Sequence, residues 1–217
     1  MSRTRVNRFQ FEAELADGGI TGIAGIDEVG RGPLAGPVVA AAVILPAEWY
    51  HTGPPENLRE LNDSKQLTEL RREEFHHLLT TLPGIRWALA ECDAGEIDRL
   101  NILRATHVAM ARALAQLQPA PAHVLVDGRP VPGLGAAQTA LVKGDSRSYS
   151  IAAASVIAKV TRDRQMAEFD HRWPVYGFGR HKGYPTPEHL AAVAEHGPCP
   201  IHRRSFAPLK PSQAELF

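Results

Sequence analysis

Five short stretches rich in apolar and β-branched residues predict buried β-strands. They cover residues 20–27, 38–45, 85–91, 123–128 and 139–145. Apolar residues at helical spacing, together with capping residues, predict helices from Thr68 to about Leu79, in one or two pieces over 95–117, from Ser148 to Asp170, and from a cap at Thr186-Pro187-Glu188. Residues 46–62 contain Pro and Gly and predict a loop. The elements indicate an α/β fold with a mixed five-stranded sheet flanked by helices.

Composition fits one domain with small additions: the chain has 217 residues, of which 44% are hydrophobic. Lys plus Arg equals Asp plus Glu at 24 each, so a net charge of zero argues against bulk nonspecific binding to nucleic acid. A local basic face stays possible, since residues 143–182 hold eight Lys or Arg against four Asp or Glu. An ordinary solvated face would show the same excess.

We expect neither a disulfide framework nor an apolar targeting segment. Cys92 and Cys199 are expected to be free thiols in a reducing compartment. The first 15 residues lack an apolar core, and the longest apolar run, 38–45, is too short to span a bilayer. We therefore expect a cytoplasmic protein, and the absence of heptads or a long apolar surface stripe favours a monomer.

Three of the predicted strands end in carboxylates, at Asp27-Glu28, Asp127 and Asp145. Acids gathered at one sheet edge repel each other and raise their own pKa values unless a cation lies among them. Carboxylates are hard ligands that suit Mg²⁺ or Mn²⁺, and two such ions about 3.5–4 Å apart perform phosphoryl transfer in many enzymes.

Each acid taken alone also has a plain structural interpretation. Asp127-Gly128 fits a turn, Asp27-Glu28 a solvated strand end, and Asp145 a helix cap. Because side chains alternate along a strand, Asp27 and Glu28 share one site only if the strand bends or ends there. The metal interpretation therefore depends on all four acids together.

After the first acids come Val29 and the tripeptide Gly30-Arg31-Gly32. The glycines allow close approach of the backbone to a ligand, and Arg31 supplies a positive charge suited to phosphate. A tight turn with a solvent-exposed arginine is the alternative. Asp163 in the predicted long helix is expected to pair with Lys159, one turn earlier, rather than to act in catalysis.

Nearly the whole chain, from about residue 9 to 209, resembles ribonuclease HII, the bacterial type 2 ribonuclease H family. The stretches that carry the resemblance are "GIDEVGRGPLAGPVVAAAV", "NDSKQLT", "EIDRLNILRAT", "VLVDG", "LVKGDSRSYSIAAASVIAKVTRDR", "YGFGRHKGYPTPEH" and "HRRSFAP". The resemblance implies a ribonuclease H-like fold with a helical C-terminal part, in one catalytic domain over 1–209. It implies an endonuclease that cuts the RNA strand of RNA–DNA hybrids and nicks 5′ of single ribonucleotides in duplex DNA, leaving 3′-hydroxyl and 5′-phosphate ends.

The same resemblance assigns roles to individual residues. It implies that the catalytic, metal-binding acids of a two-metal-ion mechanism with Mn²⁺ or Mg²⁺ are Asp27, Glu28, Asp127 and Asp145. It places the sensor of the ribonucleotide–deoxyribonucleotide junction on Gly30, Arg31, Gly32 and Tyr184, and a phosphate-contacting lysine on Lys65. These assignments agree with physical chemistry, because the 2′-hydroxyl is what distinguishes RNA from DNA at one position.

The last residues, 210–217, are expected to form a flexible tail. Its "QAELF" resembles short peptides that dock on the DNA sliding clamp, with Gln213 making a polar contact and Leu216 and Phe217 filling an apolar pocket. Two other functions remain open. A junction resolvase acting on branched DNA would not need a 2′-hydroxyl sensor, and a hybrid-binding module without catalysis would not need the four acids.

Overall fold

Five strands form one mixed sheet in the computed structural model, which describes residues 7–210. The strands are β1 Ile23–Val29, β2 Val38–Ile44, β3 Arg86–Cys92, β4 His123–Asp127 and β5 Ala137–Leu141. Their order across the sheet is β3-β2-β1-β4-β5. β1, β2 and β3 are antiparallel neighbours, whereas β4 runs parallel to both β1 and β5. The predicted fold class is confirmed.

Eight α-helices lie in the described part of the chain, and short 3-10 turns connect several of them. Their bounds are α1 Gln10–Asp17, α2 Trp49–Thr52, α3 Glu69–Thr81, α4 Ala94–Leu100, α5 Ile102–Ala115, α6 Tyr149–Arg172, α7 Phe178–His181 and α8 Pro187–His196. The predicted caps of α3 and α8, Thr68 and Thr186, are confirmed, and α6 begins where predicted, with Ser148 as its cap. Thr68, Ser148 and Thr186 each accept a hydrogen bond from the backbone N–H three residues later.

Some predicted boundaries are wrong. The sequence pattern does not predict helix α1, and the expected loop at 46–62 contains α2 and a 3-10 turn at Glu56–Leu58. The last strand ends at Leu141 rather than at residue 145, because Lys143 adopts a left-handed conformation with φ +56° and a 3-10 turn follows. Residues 123–141 still provide the predicted strand pair.

The sheet is covered on both faces. One apolar core lies between the sheet and α6, with α1 and α3 beside it, and the other lies under α4 and α5. Helix α6 lies very close to β1, because a β-carbon on Gly25 would fall 2.2 Å from the carbonyl carbon of Ser150. This close contact holds the N-terminal part of α6 against β1.

A third apolar cluster forms the helical C-terminal part. Tyr176 and Phe178 stack with ring centroids 5.2 Å apart, and Met166 of α6 and Ala35 of the β1–β2 loop pack in the same cluster. The C-terminal part therefore rests on the loop that follows β1. Cys92 and Cys199 are buried free thiols, as predicted. Among residues 7–210, no helix has the length and apolarity needed to cross a membrane.

Candidate active site

Asp27 and Asp127 are neighbours on the parallel strands β1 and β4. The paired register of these strands ends at Ile26 opposite Val126, so the two aspartates follow at the same level. Side chains alternate along a strand, and both aspartates project towards the face that α6 covers. Asp27 is buried, with 7% of its surface exposed, whereas Asp127 is half-buried.

The expectation that Asp27 and Glu28 end their strand is wrong. Pairing of β1 with β2 continues to Val29 opposite Val39, so both acids lie inside β1. β1 continues because β2 still forms backbone hydrogen bonds with it beyond the point where its pairing with β4 ends. Glu28 consequently points away from Asp27, and its Oε1 lies 3.1 Å from Nη1 of Arg31.

Asp145 reaches the same edge by a turn rather than from a strand end. It lies in the 3-10 turn Gly144–Ser146, and it does not cap α6, since Ser148 does. The backbone N–H of Gly144 donates to Oδ1 of Asp127 at 2.7 Å, which ties this turn to β4. A β-carbon on Gly144 would lie 2.5 Å from Cδ1 of Ile151. Because glycine has no β-carbon, the backbone of the turn can lie this close to α6.

The acids are close enough to influence each other's ionisation. Burial raises the pKa of Asp27 well above its usual value, and repulsion from Glu28 and Asp127 adds to the rise. The pKa of Glu28 is raised by burial and by Asp127, although Arg31 opposes the shift. The pKa of Asp145 is also raised, by burial first and then by Asp63 and Asp127. Asp127 thus contributes to the raised pKa of each of the other three acids.

Oxygen donors of this type suit a hard divalent cation. Asp27, Asp127 and Asp145 form no ion pair within residues 7–210, and there Asp145, unlike Asp27, has a cationic side chain, Lys65, that opposes the rise in its pKa. In the same part of the chain, no three His, Cys, Asp or Glu side chains already converge as a ready metal site. The donor set therefore fits the chemistry of a divalent ion, while Glu28 is engaged with Arg31.

The Gly-Arg-Gly turn begins two residues after Glu28, at the end of β1. Gly30 has φ +90°, and a β-carbon there would lie 2.2 Å from Nε of the buried Arg162. Arg31 is half exposed beside Glu28. A β-carbon on Gly32 would lie 3.4 Å from Cε1 of Tyr184, an ordinary van der Waals distance. The turn predicted from the sequence is present, and its second glycine faces the predicted tyrosine.

One cavity of about 150 Å³ brings together part of the predicted site. The predicted residues on its wall are Asp27, Glu28, Lys65 and Tyr184, and Val29, Ser64, Ser155 and Lys159 complete it. The predicted pair of Lys159 with Asp163 is confirmed, with Nζ 2.7 Å from Oδ1. A second cavity of about 300 Å³ lies on the other side of Glu28 and is bordered by Arg31 and Asp127.

Sequence reasoning missed several neighbours of the site. Ser64 and Ser155 share a buried hydrogen bond of 2.9 Å between their hydroxyls beside Asp27. His107 and Arg129 border the second cavity, and the buried Arg162 and Arg203 contact the loop after β1. Helical spacing places Ser155 on the face of Lys159, but no local signal separates a buried arginine from an exposed one. Gln213, Leu216 and Phe217 lie outside the described residues.

Comparison with known proteins identifies the family. The family model described as Ribonuclease HII matches residues 24–209. The chain belongs to the ribonuclease HII family. Ribonuclease HII of Geobacillus thermodenitrificans is 53% identical over 201 residues, which cover 93% of this chain and 74% of that protein. Ribonuclease HII of an Anaeromyxobacter strain is 49% identical over 96% of this chain, and the match spans 65% of that relative's length.

Solved structures agree with the observed fold. The ribonuclease H2 of Pyrococcus horikoshii superposes with a TM-score of 0.70 at 28% identity, covering 88% of this chain and 96% of that one. A Bst-RNase HIII in complex with Mn²⁺ superposes with a TM-score of 0.64 at 17% identity, covering 96% of this chain and 72% of that one, and this likeness concerns the fold. Membership of the ribonuclease HII family makes this chain a ribonuclease H enzyme.

Proposed function

We propose that this ribonuclease H recognises the junction between a ribonucleotide and a deoxyribonucleotide and nicks duplex DNA 5′ of a single embedded ribonucleotide. It also hydrolyses the RNA strand of RNA–DNA hybrids, leaving 3′-hydroxyl and 5′-phosphate ends. The observation that carries the proposal is the position of the Tyr184 ring beside Gly32, where a β-carbon would lie 3.4 Å from Cε1, in the cavity that Asp27 and Glu28 also line. A branched-DNA nuclease would have no use for such a pair.

The backbone of the Gly30–Gly32 turn and the ring of Tyr184 would each recognise one sugar of the substrate. Backbone groups of Gly30, Arg31 and Gly32 offer hydrogen bonds to a 2′-hydroxyl without an intervening side chain. Tyr184 is 47% exposed, so its ring is free to pack on the next sugar, and a deoxyribose fits there better than a sugar with a 2′-oxygen. The pair would therefore favour a ribonucleotide followed by a deoxyribonucleotide.

Cation binding is proposed for the four acids. Asp27 and Asp127 are the central candidates because they lie at the same level on adjacent strands, and Glu28 and Asp145 would complete the set. Two Mn²⁺ or Mg²⁺ ions held there would activate water and neutralise charge at the scissile phosphate. Burial raises the pKa of Asp27, and repulsion from Glu28 and Asp127 adds to the rise; a bound cation would relieve that repulsion.

Positively charged side chains around the acids would hold the phosphodiester backbone. Lys65 is exposed on the wall of the cavity that contains Asp27, and Arg31 stands half exposed on the opposite side of Glu28. Lys159 borders the same cavity but is already paired with Asp163. Lys65 and Arg31 are therefore the better candidates for phosphate contacts.

The first test is cleavage of a labelled DNA duplex that carries one ribonucleotide, with Mg²⁺, Mn²⁺ or EDTA, beside an all-DNA duplex. We expect a metal-dependent nick 5′ of the ribonucleotide and none in the control. Cleavage of long hybrids alone would reject the junction-sensing proposal but leave the proposed catalytic role of the four acids standing. Binding without cleavage under either metal would favour a binding module.

For the tail we propose docking of Gln213, Leu216 and Phe217 on the DNA sliding clamp. The support is the sequence motif, which lies beyond the matched family region that ends at residue 209. Deleting residues 213–217 should abolish binding to a purified clamp and leave cleavage unchanged. Equal binding by the deletion variant would reject the docking proposal.

A further inference from the structure

Arg203 is completely buried, and its guanidinium donates only to backbone carbonyls of the loop after β1. Nη2 donates to Gly30 at 2.5 Å and to Gly36 at 2.8 Å, and Nε donates to Gly36 at 3.0 Å. Nη1 donates to Arg31 at 3.1 Å and to Pro33 at 2.7 Å. One side chain therefore fixes four carbonyls of the loop that contains the Gly-Arg-Gly turn.

This arrangement needs an arginine. Five N–H donors in a flat fork can reach several carbonyls at once, whereas the ammonium of a lysine has three donors at one point. Arg203 forms no ion pair with an acid within the described residues, so the carbonyl dipoles hold its charge. Burial, followed by repulsion from Arg162, lowers its pKa to about 9, and the side chain stays positively charged at neutral pH.

Residues 202 and 203 also hold the segment that contains Tyr184. The backbone N–H of Arg203 donates to Leu34 at 2.8 Å, and that of Leu34 donates to Gly183 at 2.8 Å, next to the tyrosine. His202 and His189 join through their Nε2 atoms at 3.0 Å, and Nδ1 of His189 lies 2.9 Å from the carbonyl oxygen of Tyr184.

Hydrogen-bond accounting assigns the tautomers of this pair. Nδ1 of His202 accepts from the backbone N–H of Cys199 at 3.0 Å, so its proton lies on Nε2 and is donated to His189. His189 then donates from Nδ1 to Tyr184. Residues 202 and 203 thus anchor both the tyrosine and the turn that faces it.

We propose that Arg203 is a positioning residue that sets the gap between the Gly30–Gly32 turn and Tyr184, and through this gap the preference for a ribonucleotide–deoxyribonucleotide junction. The inference rests on the proposed function. Arg203 itself touches no substrate, since it lies beneath the loop. Its loss would leave four carbonyls of the loop without their donor and let the turn relax away from the tyrosine.

The test compares Arg203→Lys with Arg204→Lys in the full-length protein. Arg204 is the exposed neighbour of Arg203, so its variant controls for the same chemical change. Initial rates are measured on a duplex with one ribonucleotide and on a continuous RNA–DNA hybrid, which has no internal junction, and their ratio is reported. A purely structural role would lower both rates together and leave that ratio unchanged.

We expect Arg203→Lys to lower the ratio by about tenfold, mainly through kcat, because a small displacement of a positioning group costs rate rather than binding. Arg204→Lys should keep the wild-type ratio. An unchanged ratio in a folded Arg203→Lys protein would overturn the inference, whatever happens to total activity. If circular dichroism shows that this variant is unfolded, Arg203→Gln, which keeps planar N–H donors, serves in the same comparison.

Wild-type protein separates this inference from the proposed function. If it shows no preference for the single-ribonucleotide duplex, the proposed junction sensing is rejected, and the positioning role falls with it. If it shows the preference and Arg203→Lys retains it, only the positioning role is rejected.

Discussion

The ring of Tyr184 faces Gly32, since a β-carbon on this glycine would lie 3.4 Å from Cε1 of the tyrosine. The two residues come from opposite ends of the chain and meet because the C-terminal part packs on the loop after β1. Tyr184 also lines one cavity together with Asp27 and Glu28. The residues proposed to recognise the sugar therefore adjoin the acids proposed to bind the cations.

Two substitutions of Tyr184 distinguish the contribution of its ring from that of its hydroxyl. The hydroxyl makes no hydrogen bond among residues 7–210, so Tyr184→Phe should cleave the single-ribonucleotide duplex at nearly the wild-type rate. Tyr184→Ala removes the packing surface and should lower that rate by about tenfold or more, as a lost positioning contact does. Steady-state cleavage of both substrates measures the effect. A Tyr184→Ala protein with unchanged kinetics would exclude a role for the ring.

A methyl group at Gly30 should destabilise the protein strongly. Gly30→Ala introduces both the strain of φ +90° and a contact of 2.2 Å with Nε of Arg162, which is buried and cannot move away. Gly19→Ala is the matched control, because Gly19 has φ +85° and nothing lies within 4 Å of the place that its β-carbon would occupy. The control should cost about 1 kcal/mol and Gly30→Ala at least about 2 kcal/mol more. Equal losses in urea unfolding would contradict this expectation.

Neutralising Asp127 should separate activity from stability. Asp127→Asn removes the charge that repels Asp27, Glu28 and Asp145, while its amide oxygen still accepts from Gly144. We expect cleavage to fall by at least about 100-fold, with an unfolding free energy equal to or above that of the wild type. The exposed Asp17→Asn provides the control and should change neither property.

Thermal unfolding with added metal gives a readout independent of catalysis. Mn²⁺ or Mg²⁺ should raise the Tm of the wild-type protein, because a ligand that binds only the folded state stabilises it. EDTA should reverse the increase. Asp127→Asn should show little or no increase, whereas Asp17→Asn should respond like the wild type. An equal response of Asp127→Asn would place the cation elsewhere.

The histidine pair behind Tyr184 should make folding sensitive to acid. Burial, with repulsion from His189 next, lowers the pKa of His202 to about 4 from a usual value of 6.5. Between these values the unfolded chain binds more protons, so the stability that neutral His202 contributes is lost as pH falls from 6.5 towards about 4. The effect is on the order of 3–4 kcal/mol, since one pKa unit corresponds to about 1.4 kcal/mol.

Comparison with a variant isolates this contribution. Burial raises the pKa values of Glu12 and Asp27, and these acids favour the folded state as pH falls, so the wild-type curve is a sum of opposite effects. His202→Asn removes the imidazole, and its amide oxygen substitutes for Nδ1 as the acceptor from Cys199. The difference between the two urea-unfolding curves should therefore shrink with falling pH. A constant difference would show that His202 does not titrate in this window.

Much of the fold and the chemical character of the site were determined by the sequence alone. Alternating and continuous apolar stretches locate all five strands, and the capping residues Thr68 and Thr186 locate the start of α3 and α8. These are local effects, because side-chain alternation and end-group hydrogen bonds act over a few residues. The motif resemblance leads to the family that the comparisons confirm. The acids, Gly-Arg-Gly, Lys65 and Tyr184 all follow from the sequence as candidates.

Tertiary structure alone decided how these residues stand to one another. Asp27 and Glu28 are expected at a strand end, but pairing with β2 carries the strand past them and turns Glu28 towards Arg31. Asp145 is expected at another strand end and instead comes back to Asp127 on a turn. The burial of Arg162 and Arg203 under the loop after β1 has no local signature. Their positions depend on hydrogen bonds between segments far apart in the chain, and only the folded structure brings these segments together.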